Sequence, residues 1–287
     1  MNFVLLTEGT GQGLTEKSNV SRLAEALADD DEQRVHLEYG CGSGHPLFGR
    51  LLGSDAVNIL LGHYEWLSQH GAFRRGDAKF YIFGFSRGAL IARVLADILC
   101  NVGITADAYD ARRIFKYHRA GYKEALDAFR MQGRLSGPVK VKYLGLWDTV
   151  DSTVGIRGED YRRLPTGVEC ARHAISRDER RRFFSPLACE GAEEMVFPGT
   201  HSDVGGTYCD NHILADLSLA WVANKAVELG MRLKEGIEFD EDVDLPRAVV
   251  HNSLEEPTNA WGGFEPVKRM LDGIRRHVAC EKVAAEI

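Results

Sequence analysis

Gly84-Phe85-Ser86-Arg87-Gly88 places one hydroxyl nucleophile between two glycines, where the strand-like run KFYIFGF (79–85) gives way to the helical pattern ALIARVLADIL (89–99). A serine hydroxyl attacks a carbonyl only when a base takes its proton and a further group orients that base. A tight strand-to-helix turn exposes such a serine, and side chains two residues before and after it would collide with neighbouring backbone. The N–H of Arg87, at the start of the helix, is then aimed at a developing oxyanion. The five-residue pattern also arises by chance, so its weight comes from lying between a strong strand and a strong helix.

Candidates for the base and its orienting acid follow in the chain. VKVKYLGLWDT (139–149) carries Asp148 just past an apolar run, and EEMVF (193–197) leads through PGTHSDVGGTY to His201. The order Ser, Asp, His, each in a loop beyond a strand, is that of elbow hydrolases. Asp151, Asp203 and Asp97 compete for the acid role, and His251, after RAVV (247–250), competes as the base. Asp203 is as well suited to bonding its own loop, where VGG (204–206) implies crowded or left-handed backbone. TEGTGQG (7–13) offers Gly9 and Thr10 as a second source of oxyanion N–H groups, or is a plain tight turn. It has neither the G-K-[ST] of a phosphate loop nor a dinucleotide fingerprint.

The elements that must position these residues alternate. Strands are expected at NFVLLT (2–7), RVHLEYG (34–40), 79–85, 139–149 and 193–197. Helices are expected after a cap at Ser18 or Asn19, over 56–70, after Gly88, and over 214–229. This alternation predicts one α/β domain over residues 1–287, a mostly parallel sheet flanked by helices. An insertion over 107–138 reads as two short helices of mixed charge, either a solvated hairpin or a cap over the sheet's carboxyl edge. As a cap it would line an acyl channel with Tyr109, Ile114, Phe115, Tyr122 and Phe129, and turn Arg112, Arg113 and Lys116 toward phosphate headgroups. Residues 230–287 form a less patterned C-terminal extension, with a candidate edge strand at RAVVHNS and a helical end.

Composition narrows the classes. The 287 residues carry a formal charge of -7, which argues against a nucleic-acid partner. Six scattered cysteines without a CxxC pair exclude zinc-ribbon spacing and suit free thiols in a reducing compartment. No run approaches the roughly 20 apolar residues of a membrane helix, and NFVLLT lacks the features of a signal peptide. A soluble protein, cytoplasmic as synthesised and outside the general secretory route, is expected.

Several blocks in order resemble the α/β-hydrolase domain family that includes the type VI secretion phospholipase effectors: LLTEGTGQG, SNVSRLAEAL, YGCGSG, FGFSRGALIARVLADIL, LGLWDTV, ARHAISRDERRRFFSP, FPGTHSDVGGTY and LADLSLAW, with VVHNS beyond them. The resemblance covers roughly residues 1–230. It implies an α/β-hydrolase fold and a triad of Ser86, Asp148 and His201, the residues chosen above on order and placement. It also implies export by the type VI route, with a secretion apparatus or immunity protein as partner. Two departures stand out: Glu8 and Gln12 replace the acidic and amide positions of a loop that usually reads D-G-T-G-N, and the stretch after residue 230 is expected to be too short for the membrane-binding region that the resemblance implies for many secreted effectors.

The leading expectation is a cofactor-free serine esterase acting on a lipid ester at a membrane surface. Ser86, His201 and Asp148 would do the chemistry, and Arg87, Gly9 and Thr10 would form the oxyanion hole. A soluble carboxylesterase or thioesterase uses the same residues without a lipid preference. A binding module with a vestigial triad, and a metal phosphohydrolase built on His201, Asp203 and Asp148, are the readings from other classes.

Overall fold

The computed structural model describes residues 1–9, 17–39, 56–72, 76–151, 156–255, 269, 271–272 and 274–283. A seven-stranded parallel sheet runs through the described residues in the order β2-β1-β3-β4-β5-β6-β7. Its strands are β1 (Asn2–Thr7), β2 (Gln33–Glu38), β3 (Lys79–Phe85), β4 (Val141–Trp147), β5 (Ala171–Ser176), β6 (Glu193–Phe197) and β7 (Arg275–Arg276). Parallel neighbours require crossovers, and the helices supplying them cover both faces. On one face lie α2 (Ala56–Gln69) and α3 (Arg87–Asn101), packed on Phe3, Leu5, Phe80, Ile82 and Leu144. The other face holds α1 (Asn19–Ala26) and α7 (Ile213–Glu228), which bury Val4, Leu6, Tyr81, Phe83 and Trp147. Successive residues of β1 and β3 thus enter opposite cores, which explains why these runs are apolar throughout rather than alternating.

The expected α/β-hydrolase-like architecture is the one found. β5 was not legible in the sequence. ARHAIS has no apolar run, and its buried His173 is satisfied instead by the Thr149 N–H at 3.0 Å and the Glu194 carboxylate at 2.8 Å. The edge strand expected at RAVVHNS is also absent: Leu245–Arg247 form a short 3-10 turn, and the edge belongs to β7. The helical end is a single turn, α8 (Ala279–Lys282).

The insertion forms two helices, α4 (Ala108–Arg119) and α5 (Lys123–Met131). It leaves the C-terminal end of α3 and returns to the start of β4, where the Val139 N–H bonds Leu99 O at 2.9 Å. A helix of this length carries the chain about 20 Å from the elbow, so the hairpin is rooted at the sheet's amino edge. Ile114, Phe115 and Phe129, expected in an acyl channel, are buried in the core shared with α2 and α3, while Tyr109 and Tyr122 are exposed. Arg112 bonds Asn58 at 3.0 Å, and Arg113 lies over the Phe129 ring. The described contacts therefore make the hairpin an outer layer on α2. The reason is its apolar spacing, which buries one stripe of each helix inward.

Phe129→Ala should lower unfolding stability by about 3–5 kcal/mol, as for other large buried aromatics. Denaturant melts would measure this.

Candidate active site

Ser86 sits in the turn between β3 and α3, with φ 59° and ψ -126°. Asp148, directly after β4, has φ 39°; these are the two non-glycine residues with left-handed backbone among the described residues. Such strain survives only where the surroundings over-determine it. Here the Ser86 N–H bonds Trp147 O at 2.9 Å and the Asp148 N–H bonds Ala174 O at 2.7 Å, extending the sheet ladder through both residues. A Cβ on Gly84 would lie 2.4 Å from Gly88 O, and one on Gly88 would lie 2.3 Å from Glu8 O. Both clashes are with backbone, so glycine at 84 lets β3 turn tightly into α3, and glycine at 88 lets the start of α3 lie against the end of β1.

The three side chains meet in a line. His201 Nε2 lies 2.8 Å from Ser86 Oγ, and His201 Nδ1 lies 2.6 Å from Asp148 Oδ2. These partners require the proton on Nδ1, leaving Nε2 to accept from the serine. The imidazole is held between Phe85 and Phe184, with ring centroids 4.6 and 4.9 Å away. His201 opens the short helix α6 (His201–Gly205), and its backbone N–H reaches Glu179 at 3.2 Å. Glu179 is paired with buried Arg181, whose guanidinium covers Phe184. The segment RDERRRFF (177–184) thus shapes the histidine loop from beneath.

Asp148 is fully buried and meets four donors: His201, the Ser176 N–H at 2.9 Å, the Ser176 hydroxyl at 3.1 Å, and Arg269. Burial alone would push its carboxyl up. The Arg269 charge, with hydrogen bonds from His201 and Arg269, instead holds it far below the usual carboxylate range. Ser176, Glu179 and Arg269 were not singled out in the sequence. Ser176 ends the strand that lacked a signal, and Arg269 is a lone arginine in an unpatterned stretch.

The competing acids and base have other partners. Asp151 accepts from the Gly158 N–H, and Asp97 accepts from Asn101 and pairs with His118. Asp203 accepts the backbone N–H of Thr200 at 2.8 Å and its hydroxyl at 3.0 Å, tying down the start of α6. His251 bonds Asp203 at 2.5 Å and Asp210 at 3.1 Å, and stacks on Tyr208. The structure therefore brings together Ser86, Asp148 and His201, and sets His251 behind the histidine helix.

Of the expected oxyanion donors, Arg87 opens α3 beside Ser86. Gly9 is close by, since a Cβ built on it would lie 3.5 Å from Ser86 Cβ, yet its N–H donates to Glu8 at 3.1 Å. Glu8 is buried; desolvation raises its pKa, opposed by hydrogen bonds from Ser21 on α1, from Ser18 at its N-cap and from Gly9. Thr10 and Gln12 lie outside the described residues. Among the described residues no group of three or more His, Cys, Asp or Glu side chains has the arrangement of a metal site. None of their helices is long and apolar enough to cross a membrane.

Residues 1–225 match the sequence profile of the family described as T6SS, Phospholipase effector Tle1-like, catalytic domain. The Uncharacterized protein YEL023C of Saccharomyces cerevisiae (strain ATCC 204508 / S288c) is 29% identical over 225 residues, covering 65% of this chain and 32% of its own. A crystal structure of an uncharacterized protein from Pseudomonas aeruginosa superposes with a TM-score of 0.54 at 18% identity, covering 82% of this chain and 46% of that one. The Tle1 effector bound to the VgrG spike of the type 6 secretion system gives a TM-score of 0.46 at 18% identity, covering 72% of this chain and 51% of that one. The chain thus spans about a third of the yeast relative and about half of each of these structures.

The latch between His251 and Asp203 carries a pH dependence. Burial would lower the His251 pKa, but Asp203 and Asp210 raise it above the ordinary 6.5. A raised folded-state value stabilises the fold fully below the unfolded value, and that stabilisation is lost as pH climbs through the folded one. From about pH 6 to about pH 8.5, wild type should lose more melting temperature than His251→Gln. Parallel pH–temperature melts would refute the latch if the two curves ran together.

Proposed function

The chain belongs to the family of type VI secretion Tle1-like phospholipase effector catalytic domains, and from this we propose that it is a serine esterase cleaving acyl ester bonds of phospholipids through Ser86, His201 and Asp148. The observation that carries this reading is the continuous line from Ser86 Oγ through the imidazole to Asp148, with steps of 2.8 and 2.6 Å, at the carboxyl edge of a parallel sheet. Ligand and catalytic sites of open α/β sheets lie at that edge.

In the reaction, Ser86 Oγ attacks the acyl carbonyl while His201 Nε2 takes its proton. The tetrahedral oxyanion forms beside the Arg87 N–H at the start of α3, where the helix dipole favours negative charge. His201, now an imidazolium facing Asp148, returns the proton to the leaving alcohol oxygen as the C–O bond breaks. Water, deprotonated by His201, then attacks the acyl carbonyl, and His201 returns that proton to Ser86 Oγ as the ester bond breaks and the carboxylic acid leaves. Asp148 holds the Nδ1–H tautomer and stabilises the imidazolium.

A soluble carboxylesterase or thioesterase is the second reading, favoured by one observation. Of the residues expected at phosphate headgroups, Arg112 bonds Asn58 and Arg113 lies over Phe129 on the outer hairpin, and Lys116 belongs to the same helix. The lipid preference, action at a membrane surface, export through the type VI apparatus and an immunity partner therefore rest on family membership. Mass spectrometry of products from defined phospholipids, short-chain esters and acyl thioesters separates the two readings. Loss of fatty acid from phospholipid supports the first, and turnover confined to soluble esters or thioesters supports the second.

Ser86→Ala should cost at least ~10³-fold in turnover with the fold retained, and Asp148→Asn about 10⁴-fold through the wrong tautomer. His201→Ala should match Ser86→Ala, and their double variant should cost little more than either single one. His251→Ala should be far milder. A reversed order of the two histidines in steady-state assays would move the base to the loop at 251.

A further inference from the structure

We propose that Arg269 is a positioning residue for the triad, supplied from outside the family-matched residues 1–225, so that the C-terminal segment completes the active site. The proposal rests on the serine-esterase reading above. Arg269 Nη1 donates to Asp148 Oδ1 at 2.6 Å and Nη2 donates to Oδ2 at 2.9 Å, a two-pronged contact on the carboxylate that faces His201. The guanidinium also bonds Ser176 O at 3.0 Å, Ser176 Oγ at 2.8 Å and Phe184 O. Its side chain is 2% exposed and that of Asp148 is 0% exposed.

The geometry decides what this contact does. A carboxylate swings freely about its Cβ–Cγ bond unless both oxygens are held, and a guanidinium fork holds both in one plane. Asp148 Oδ2 is the oxygen that accepts from His201, so fixing that plane fixes the line along which Nδ1–H must point. Ser176 extends the brace, because its hydroxyl accepts from Arg269 and donates to Asp148. Phe184, whose carbonyl Arg269 also holds, packs edge-on against the His201 ring. One arginine thereby orients the acid directly and one wall of the base's pocket indirectly. A second residue of the same C-terminal region, His251, bonds Asp203 two positions beyond the catalytic histidine. Each partner of Ser86 is thus braced from beyond residue 225.

A lysine keeps the charge but presents a single point donor, whereas glutamine keeps some hydrogen bonding and loses the charge. With a soluble short-chain ester, Arg269→Gln should lower kcat about 10²-fold at nearly unchanged KM, the cost of about an ångström of misplacement. Arg269→Lys should fall between it and wild type. The proton between His201 Nδ1 and Asp148, read as a downfield resonance by NMR, should move upfield in both variants, more so in Arg269→Gln. A folded Arg269→Gln with wild-type kcat and resonance would overturn the positioning role. If removing one partner of this buried pair prevents folding, Arg269→Lys decides: reduced kcat with a shifted resonance supports the proposal, and wild-type values of both overturn it. Ser86→Ala run alongside separates the two levels. Inactivity there beside an unaffected Arg269→Gln overturns only the positioning role, while activity retained in Ser86→Ala overturns the serine reading beneath it.

Discussion

The buried carboxylate of Asp148 is the interaction on which the remainder of the site depends. A charge withdrawn from water is tolerated only when donors surround it. The donors here come from three separate places: the end of β5, the start of α6 and Arg269. Satisfying that carboxylate therefore assembles the site, because each donor brings its own element into register. The same arrangement sets direction: Oδ2 takes His201, the Ser176 hydroxyl and one prong of Arg269, while Oδ1 takes the Ser176 N–H and the other prong.

Backbone strain is concentrated where this convergence can hold it. Ser86 and Asp148 both adopt left-handed φ at the ends of adjacent central strands, and each is tied into the ladder by its own N–H. The elbow closes only because backbone passes within contact of Gly84 and Gly88. Glu8 adds a cost of its own: a buried acid satisfied by Ser18, Ser21 and the Gly9 N–H. The Gly9 amide is thereby drawn to the carboxylate, while Arg87 opens α3 directly after Ser86.

The two segments that depart from a minimal sheet behave differently. The 107–138 hairpin, the expected cap, buries Ile114, Phe115 and Phe129 against α2 and α3 and widens the core. The C-terminal stretch, with little pattern in its sequence, places Arg269 on Asp148 and His251 on Asp203. Strength of local pattern and proximity to chemistry are thus inverted between the two. Amphipathic spacing reports burial, which a hairpin achieves wherever an apolar surface is offered. A single arginine that meets a carboxylate 121 positions away leaves no periodic trace.

The sequence by itself determined β1, β2, β3, β4 and β6 and the helices between them, because strand-like apolar patterns and helical spacing are local properties of the chain. It also singled out Ser86, Asp148 and His201, since glycine spacing marks the elbow and strand ends mark the other two, and the fold brings these three side chains within hydrogen-bond distance. Tertiary structure alone decided the rest. β5 is a strand because its neighbours pair with it and satisfy His173, though its residues carry no apolar signal. His251 is set behind α6, and Arg269 onto Asp148, by long-range closure of the chain. Buried polar groups find their partners in space, so their pairing becomes visible only when the fold brings distant segments to the same carboxylate.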